Sequence, residues 1–215
     1  MSALGNAIAA PDTVGASAAA KVAAKSGKAA TRAQGRKAQR AGARAESDVD
    51  AVCARYLRVG WADVLHVGPP MAVTGTRGGA PVWRAVGKGG PDYEGVVLGY
   101  GIARALTGIG VAFEVKRSST ARLPLDTRGG PTLKPHQRAV IVRRHDAGCI
   151  AGVLVMLTTR DGPAWWWVSA AQWCALEDGA RAAGRASVSA ADFDAHCTRC
   201  HMLAVGPDWL RAAVE

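Results

Sequence analysis

From residue 46 onward the apolar positions follow two periods. Val49, Val52, Cys53 and Tyr56 recur at three- and four-residue spacing, one face of a helix that Ser47-Asp48-Val49-Asp50 would cap and Gly60 would stop. Between Trp61 and Gly90, short apolar pieces alternate with Gly-Pro, Gly-Thr and Gly-Gly punctuation, the pattern of short strands or a projecting hairpin. Val96 to Tyr100 predicts a strand, followed by a glycine-bounded connection. Val111, Phe113 and Val115 then alternate with Ala112, Glu114 and Lys116, so a second strand carries the last three on the face opposite the apolar residues. Pro135, at its favoured first position, opens a helix on which Gln137, Val140, Ile141 and Arg144 share a face until Gly148. Cys149 to Leu157 is nearly all apolar, as in a central strand covered on both faces. The Asp161-Gly162-Pro163 turn then leads to an antiparallel neighbour containing Trp165, Trp166 and Trp167. Three consecutive indoles face both sides of a strand, which predicts core, because a stacking platform would leave a large exposed apolar patch. Ser169 and Ser189 each begin a capping box, and Pro207 to Leu210 begins a terminal helical turn.

Length and charge add a second segment to this picture. The 215 residues suffice for one ordinary domain plus an appendage. Residues 1–45 are rich in Ala, Gly and Ser and have almost no large side chains to offset ordering entropy, so they read as a disordered basic N-terminal arm ahead of a folded domain over 46–215. The net charge of +10 favours a polyanionic partner. Nucleic acid comes ahead of membrane, since no apolar run approaches the roughly 20 residues a spanning helix needs. In the arm, Arg36, Lys37, Arg40 and Arg44 are among cations able to neutralise phosphates without reading sequence; a solvated linker and an organellar address are the other readings. Arg77, Arg84 and Lys88 decorate the hairpin region. There Trp83 either stacks on an exposed base or belongs to the core. Arg117, Arg122, Arg128 and Lys134 lie in a long polar loop of the kind that carries function or stays disordered. Five cysteines, an odd number with no secretory signal, predict free thiols and a cytoplasmic chain.

The candidate chemistry lies where these elements meet. If the strands flanking residue 100 are antiparallel neighbours, the turn-borne Asp92 comes close to Glu114, whose strand face also holds Lys116. Gln137, at a helix start, faces the same end. Glu46, in a first helical turn, is either stabilised by the helix dipole or stands near a metal. His196-Cys197-Thr198-Arg199-Cys200-His201 contains half of a tetrahedral zinc site, but the sequence has no second Cys-x-x-Cys, and the same half-motif is a weak pointer to haem attachment.

Pro91-Asp92, Glu114-Val115-Lys116 and Gln137 together resemble the PD-(D/E)xK nuclease signature. Asp92-Tyr93-Glu94-Gly95-Val96, Ala112-Phe113-Glu114-Val115-Lys116, His136-Gln137 and Gly148-Cys149-Ile150-Ala151 resemble the RecU-type Holliday junction resolvases of bacteria and their phages, over roughly residues 46 to 215. The resemblance implies an α/β, restriction-endonuclease-like mixed β-sheet flanked by helices. It implies a homodimer nicking four-way DNA junctions with Mg²⁺, Mn²⁺ being a substitute, and with no other cofactor and no membrane. Asp92, Glu114 and Gln137 would hold the metal and Lys116 would serve the reacting phosphate, with Glu46 also in the catalytic set. The chain departs from the family pattern at Gly90, where a hydroxyl residue is usual, and in the 22 residues from Asp92 to Glu114. The family's projecting stalk would correspond to Met71 to Lys88. A less selective DNA nuclease and a non-catalytic DNA-binding protein on the same fold are the alternatives.

Overall fold

A computed structural model describes residues 43–68, 70–85, 89–99 and 101–215. Helix α1 occupies 43–58, followed by strand β1 (Ala62–His66), the hairpin β2 (Met71–Arg77) and β3 (Ala80–Ala85), and β4 (Tyr93–Val97). A 3₁₀ turn (Gly101–Leu106) leads to β5 (Gly110–Ser118) and three short strands, β6 (Arg122–Pro124), β7 (Asp126–Thr127) and β8 (Gly130–Pro131). Next come α2 (Pro135–Asp146), β9 (Ile150–Thr159), β10 (Gly162–Ser169), α3 (Ala170–Ala182), β11 (Ser187–Ser189) and α4 (Ala190–His196). Strands β12 (Thr198–Arg199), β13 (Met202–Leu203) and β14 (Gly206–Pro207) and helix α5 (Trp209–Val214) complete the chain.

Six strands form the main sheet in the order β1-β4-β5-β9-β10-β12. Only β5 and β9 run parallel; every other neighbouring pair is antiparallel. The architecture is therefore mixed α/β around a mostly antiparallel sheet. Alternation divides the core into two. On one face Val49, Val52 and Tyr56 of α1 and Trp209 and Leu210 of α5 cover Tyr93, Phe113, Trp165 and Trp167. On the other, Ile141 of α2, Trp173 and Leu176 of α3 and Phe193 of α4 cover Val153, Val155 and Trp166. The indole run thus feeds both layers, as the period of two requires. Ser169 and Ser189 make the expected capping boxes, with Gln172 and Asp192.

Several expectations are corrected. Residue 43 is already helical, so Ser47 lies inside α1 and is not its cap. Strand β4 begins at Tyr93, directly after Asp92, and ends at Val97, because burying Tyr93 against Phe113 and Val97 against the same core fixes the strand three residues earlier than the valine run suggested. The loop over 117–135 is neither free nor featureless: Leu123, Leu125 and Leu133 are buried, and β6 pairs with β11. The β2–β3 ribbon forms its own two-stranded sheet, closed by Gly78 and Gly79, both at positive φ as a tight hairpin turn demands. Trp83 on it is 58% exposed, so it does not belong to the core. Cys197 and Cys200, three residues apart across extended backbone, point into opposite cores, and both thiols are pushed up to about 12 by burial. All five cysteines are free. Among the described residues no helix is long and apolar enough to cross a membrane.

Candidate functional site

Strand β5 supplies two of the side chains. Its odd-numbered residues Val111, Phe113 and Val115 pack toward α1, which turns Ala112, Glu114 and Lys116 toward α2. Register places Tyr93 opposite Phe113, so Asp92 lies at the mouth of the β4–β5 ladder beside Glu114. There its side chain takes over from the main chain: Asp92 Oδ2 accepts the Val115 N–H at 2.9 Å, while its carbonyl accepts the Val67 N–H at 2.8 Å. Asp92 is thus held at its side chain by β5 and at its carbonyl by the residue that follows β1. The third element is α2, whose capping box fixes Gln137. The Gln137 Oε1 accepts the Lys134 N–H at 3.1 Å, and its Nε2 donates to Glu114 Oε2 at 2.7 Å.

Glu114 is fully buried, and its Oε2 also accepts from Lys116 Nζ at 2.6 Å. The same ammonium stands 3.9 Å from Asp92 Oδ2. Glu114 Oε1 is buried without a hydrogen-bond partner. Burial pushes the Glu114 carboxyl well above the usual carboxylate range; the Lys116 ammonium opposes this rise and the Asp92 charge adds to it. Among the described residues only one other acid is buried, Asp208, and Tyr56 donates its phenol to that carboxylate. Glu114 therefore differs from Asp208 in keeping one oxygen unanswered, and it has a second carboxylate, Asp92, as a neighbour across Lys116. Hard carboxylate oxygens of this kind suit Mg²⁺ or Mn²⁺. Among the described residues no three His, Cys, Asp or Glu side chains gather to hold a metal; the carboxylates that share the Lys116 ammonium here are Asp92 and Glu114. Gln137 presents nitrogen to Glu114 while its oxygen serves the helix cap. In this arrangement its amide holds the Glu114 carboxylate in place.

Glu46 stays apart. Its side chain is exposed on α1, beyond the opposite face of the sheet, and only its carbonyl is tied toward the site, 3.1 Å from the Tyr93 hydroxyl. That hydroxyl also donates to Asp50 at 2.7 Å, and the Tyr93 ring stacks between His66 and Phe113. Of the basic residues singled out, Arg36, Lys37, Arg40 and Lys88 lie outside the described residues. Arg44, Arg77, Arg84, Arg122, Arg128 and Lys134 are exposed. Arg117 is half-buried at the end of β5 on the face away from Lys116, its Nε without a partner. One pair escaped the sequence reading: Glu94, on the same face as Glu114, accepts from Arg144 of α2 at 3.0 Å. The signal was present, since Glu94 follows Asp92 by two on an alternating strand, and Arg144 shares the Gln137 face.

No protein-family model matches the chain, and no curated protein matches it.

Proposed function

We propose that the chain is a Mg²⁺-dependent, structure-selective DNA endonuclease on a restriction-endonuclease-like fold, acting on four-way junctions as a homodimer. The observation that carries this reading is the buried Glu114, which keeps one oxygen unpartnered and shares the Lys116 ammonium with Asp92. A protein that merely bound DNA would gain nothing from acids at a phosphate-facing mouth. The resemblance of the Asp92, Glu114-x-Lys116 and Gln137 series, in matching strand-strand-helix order, directs the reading to phosphodiester hydrolysis. The net charge of +10 suits a nucleic-acid partner, and five free cysteines suit a reducing compartment.

Asp92 and Glu114 are the residues that would hold the cation. When bound, it would supply charge stabilisation at a phosphoryl oxygen. The chain's own groups do the rest. Asp92 is oriented by the Val115 N–H, Glu114 by Gln137, and Lys116 keeps its ammonium at the mouth, where negative charge develops on the reacting phosphate; preorganised electrostatics of this kind usually make the largest catalytic contribution. Two symmetric nicks across a junction call for a twofold pair of such sites.

The test is incubation of the purified protein with a mobile four-way junction, a flap and a linear duplex of matched sequence, in Mg²⁺ or in chelator. Paired nicks on the junction alone support a resolvase. Equal cutting of all three indicates a less selective nuclease. Absence of metal-dependent cutting on every substrate would sink the assigned site and leave a non-catalytic DNA-binding protein, whereas cutting that survives Asp92→Asn would sink the assigned site alone.

A further inference from the structure

Three acids occupy one face of the sheet at the candidate site. Glu94 pairs in register with Ala112, two residues before Glu114 on β5, and Asp92 lies at the ladder's mouth. A phosphodiester backbone approaching this face meets the part-exposed Asp92 and Glu94 carboxylates ahead of the buried Glu114, and Lys116 is the cation that stands between Asp92 and Glu114. Arg144 borders the same face. It follows Gln137 by seven residues on α2, within about 20° of the same helix stripe and about 10 Å farther along the axis. Its Nη2 lies 3.0 Å from Glu94 Oε1, the guanidinium is 47% exposed, and its other nitrogens have no partner among the described residues.

As a structural strut this ion pair is weak, because one so exposed adds little to stability. As a binding group the arginine is well provided. A guanidinium has five donors in a planar fork that matches phosphate, and only one position of that fork is engaged. Glu94 also keeps the fork turned to the acid-bearing face.

We propose that Arg144 is a phosphate-binding residue of this site, held on Glu94 until a nucleic-acid backbone takes its guanidinium, and that it sets the position of the bound strand beside Asp92 and Glu114. This rests on the nucleic-acid reading above. Glu94 then acts as a positioning residue that competes with the phosphate for the same donors.

The experiment is fluorescence anisotropy of a labelled four-way junction with the full chain in chelator, over about 50 to 200 mM salt. It compares the wild type with Arg144→Ala, Arg144→Lys and Glu94→Gln. Arg144→Ala should weaken binding roughly tenfold and lower the slope of log affinity against log salt by about 0.9, the value for one neutralised phosphate. Arg144→Lys should keep the slope. Glu94→Gln, which releases the guanidinium, should tighten binding with the slope unchanged. A strut would respond differently, since breaking it from either end would have the same effect. An unchanged slope in Arg144→Ala, or weaker binding in Glu94→Gln, overturns the inference while leaving the nuclease reading intact. Failure of the wild type to bind DNA at all overturns both. If Arg144→Ala fails to fold, the sign of the Glu94→Gln effect decides.

Discussion

Glu114 and Asp208 are both buried acids, and what surrounds each one leads to opposite expectations. Asp208 accepts from Tyr56, whose oxygen in turn accepts the Leu210 N–H at 3.3 Å. Tyr56→Phe removes the donor and strands a buried carboxylate, so it should cost about 1–3 kcal/mol in urea unfolding while leaving metal-dependent cleavage per folded molecule unchanged. Glu114→Gln should do the reverse. It removes a charge that burial disfavours beside Asp92 but also gives up the ion pair with Lys116, so the midpoint of thermal unfolding without metal should change little. Metal-dependent cleavage, and any Mn²⁺-induced rise in that midpoint, should disappear. A Glu114→Gln variant that kept cleaving would remove the carboxylate from the site.

At the level of strands and helices, close backbone approaches and caps decide what the segments tolerate. Gly95, in β4, faces β1 so closely that a Cβ would come 2.0 Å from the Asp63 carbonyl oxygen. Gly95→Ala must push β1 off the sheet, at a cost of more than about 2 kcal/mol, and hydrogen exchange in β1 should accelerate ahead of that in β9. The α4 cap makes a pH-dependent contribution. Partial burial acts to raise the Asp192 pKa, but the Ser189 N–H and hydroxyl and the Arg185 guanidinium outweigh it and bring the carboxyl down to about 2 from 3.8. A depressed folded pKa means stability that is present above the unfolded value and lost on acidification. The gap is worth about 2 kcal/mol, held above pH 4 and lost as pH falls toward 2. Asp192→Asn should therefore flatten the acid limb of the stability–pH curve between those values, and an unaltered limb would show that the cap carries no such linkage.

For the whole molecule, the charge is unevenly divided along the sequence. Residues 1–42 carry lysines and arginines against the single acid Asp12. Deleting them should weaken DNA binding on all sequences alike and reduce its salt dependence, by about 0.9 in slope for each phosphate no longer neutralised. Cleavage of bound substrate in single-turnover conditions should continue, because Asp92, Glu114, Lys116 and Gln137 all lie within the unit Arg44–Glu215. Loss of single-turnover cleavage on deletion would place part of the chemistry in the arm.

Periodicity alone sufficed for the faces. The α1 stripe of Val49, Val52, Cys53 and Tyr56, the split of the three tryptophans and the shared orientation of Glu114 and Lys116 all follow from the chain's own geometry, which repeats every 3.6 residues in a helix and every two in a strand. Caps were equally readable at Ser169 and Ser189, because their partners lie three residues away. Register was not. The start of β4 at Tyr93 depends on Phe113 across the ladder, and the order that packs three leucines of the 117–135 segment against distant elements is a long-range property. The exposure of Trp83 depends on the hairpin pairing with itself and not with the main sheet. At the site, strand alternation was enough to say which residues share a face with Glu114. Folding had to add that Glu114 keeps a buried oxygen unanswered, that Gln137 turns its nitrogen to it, and that Glu46 stands on the other layer, since burial and hydrogen-bond direction are set by segments far apart in the chain.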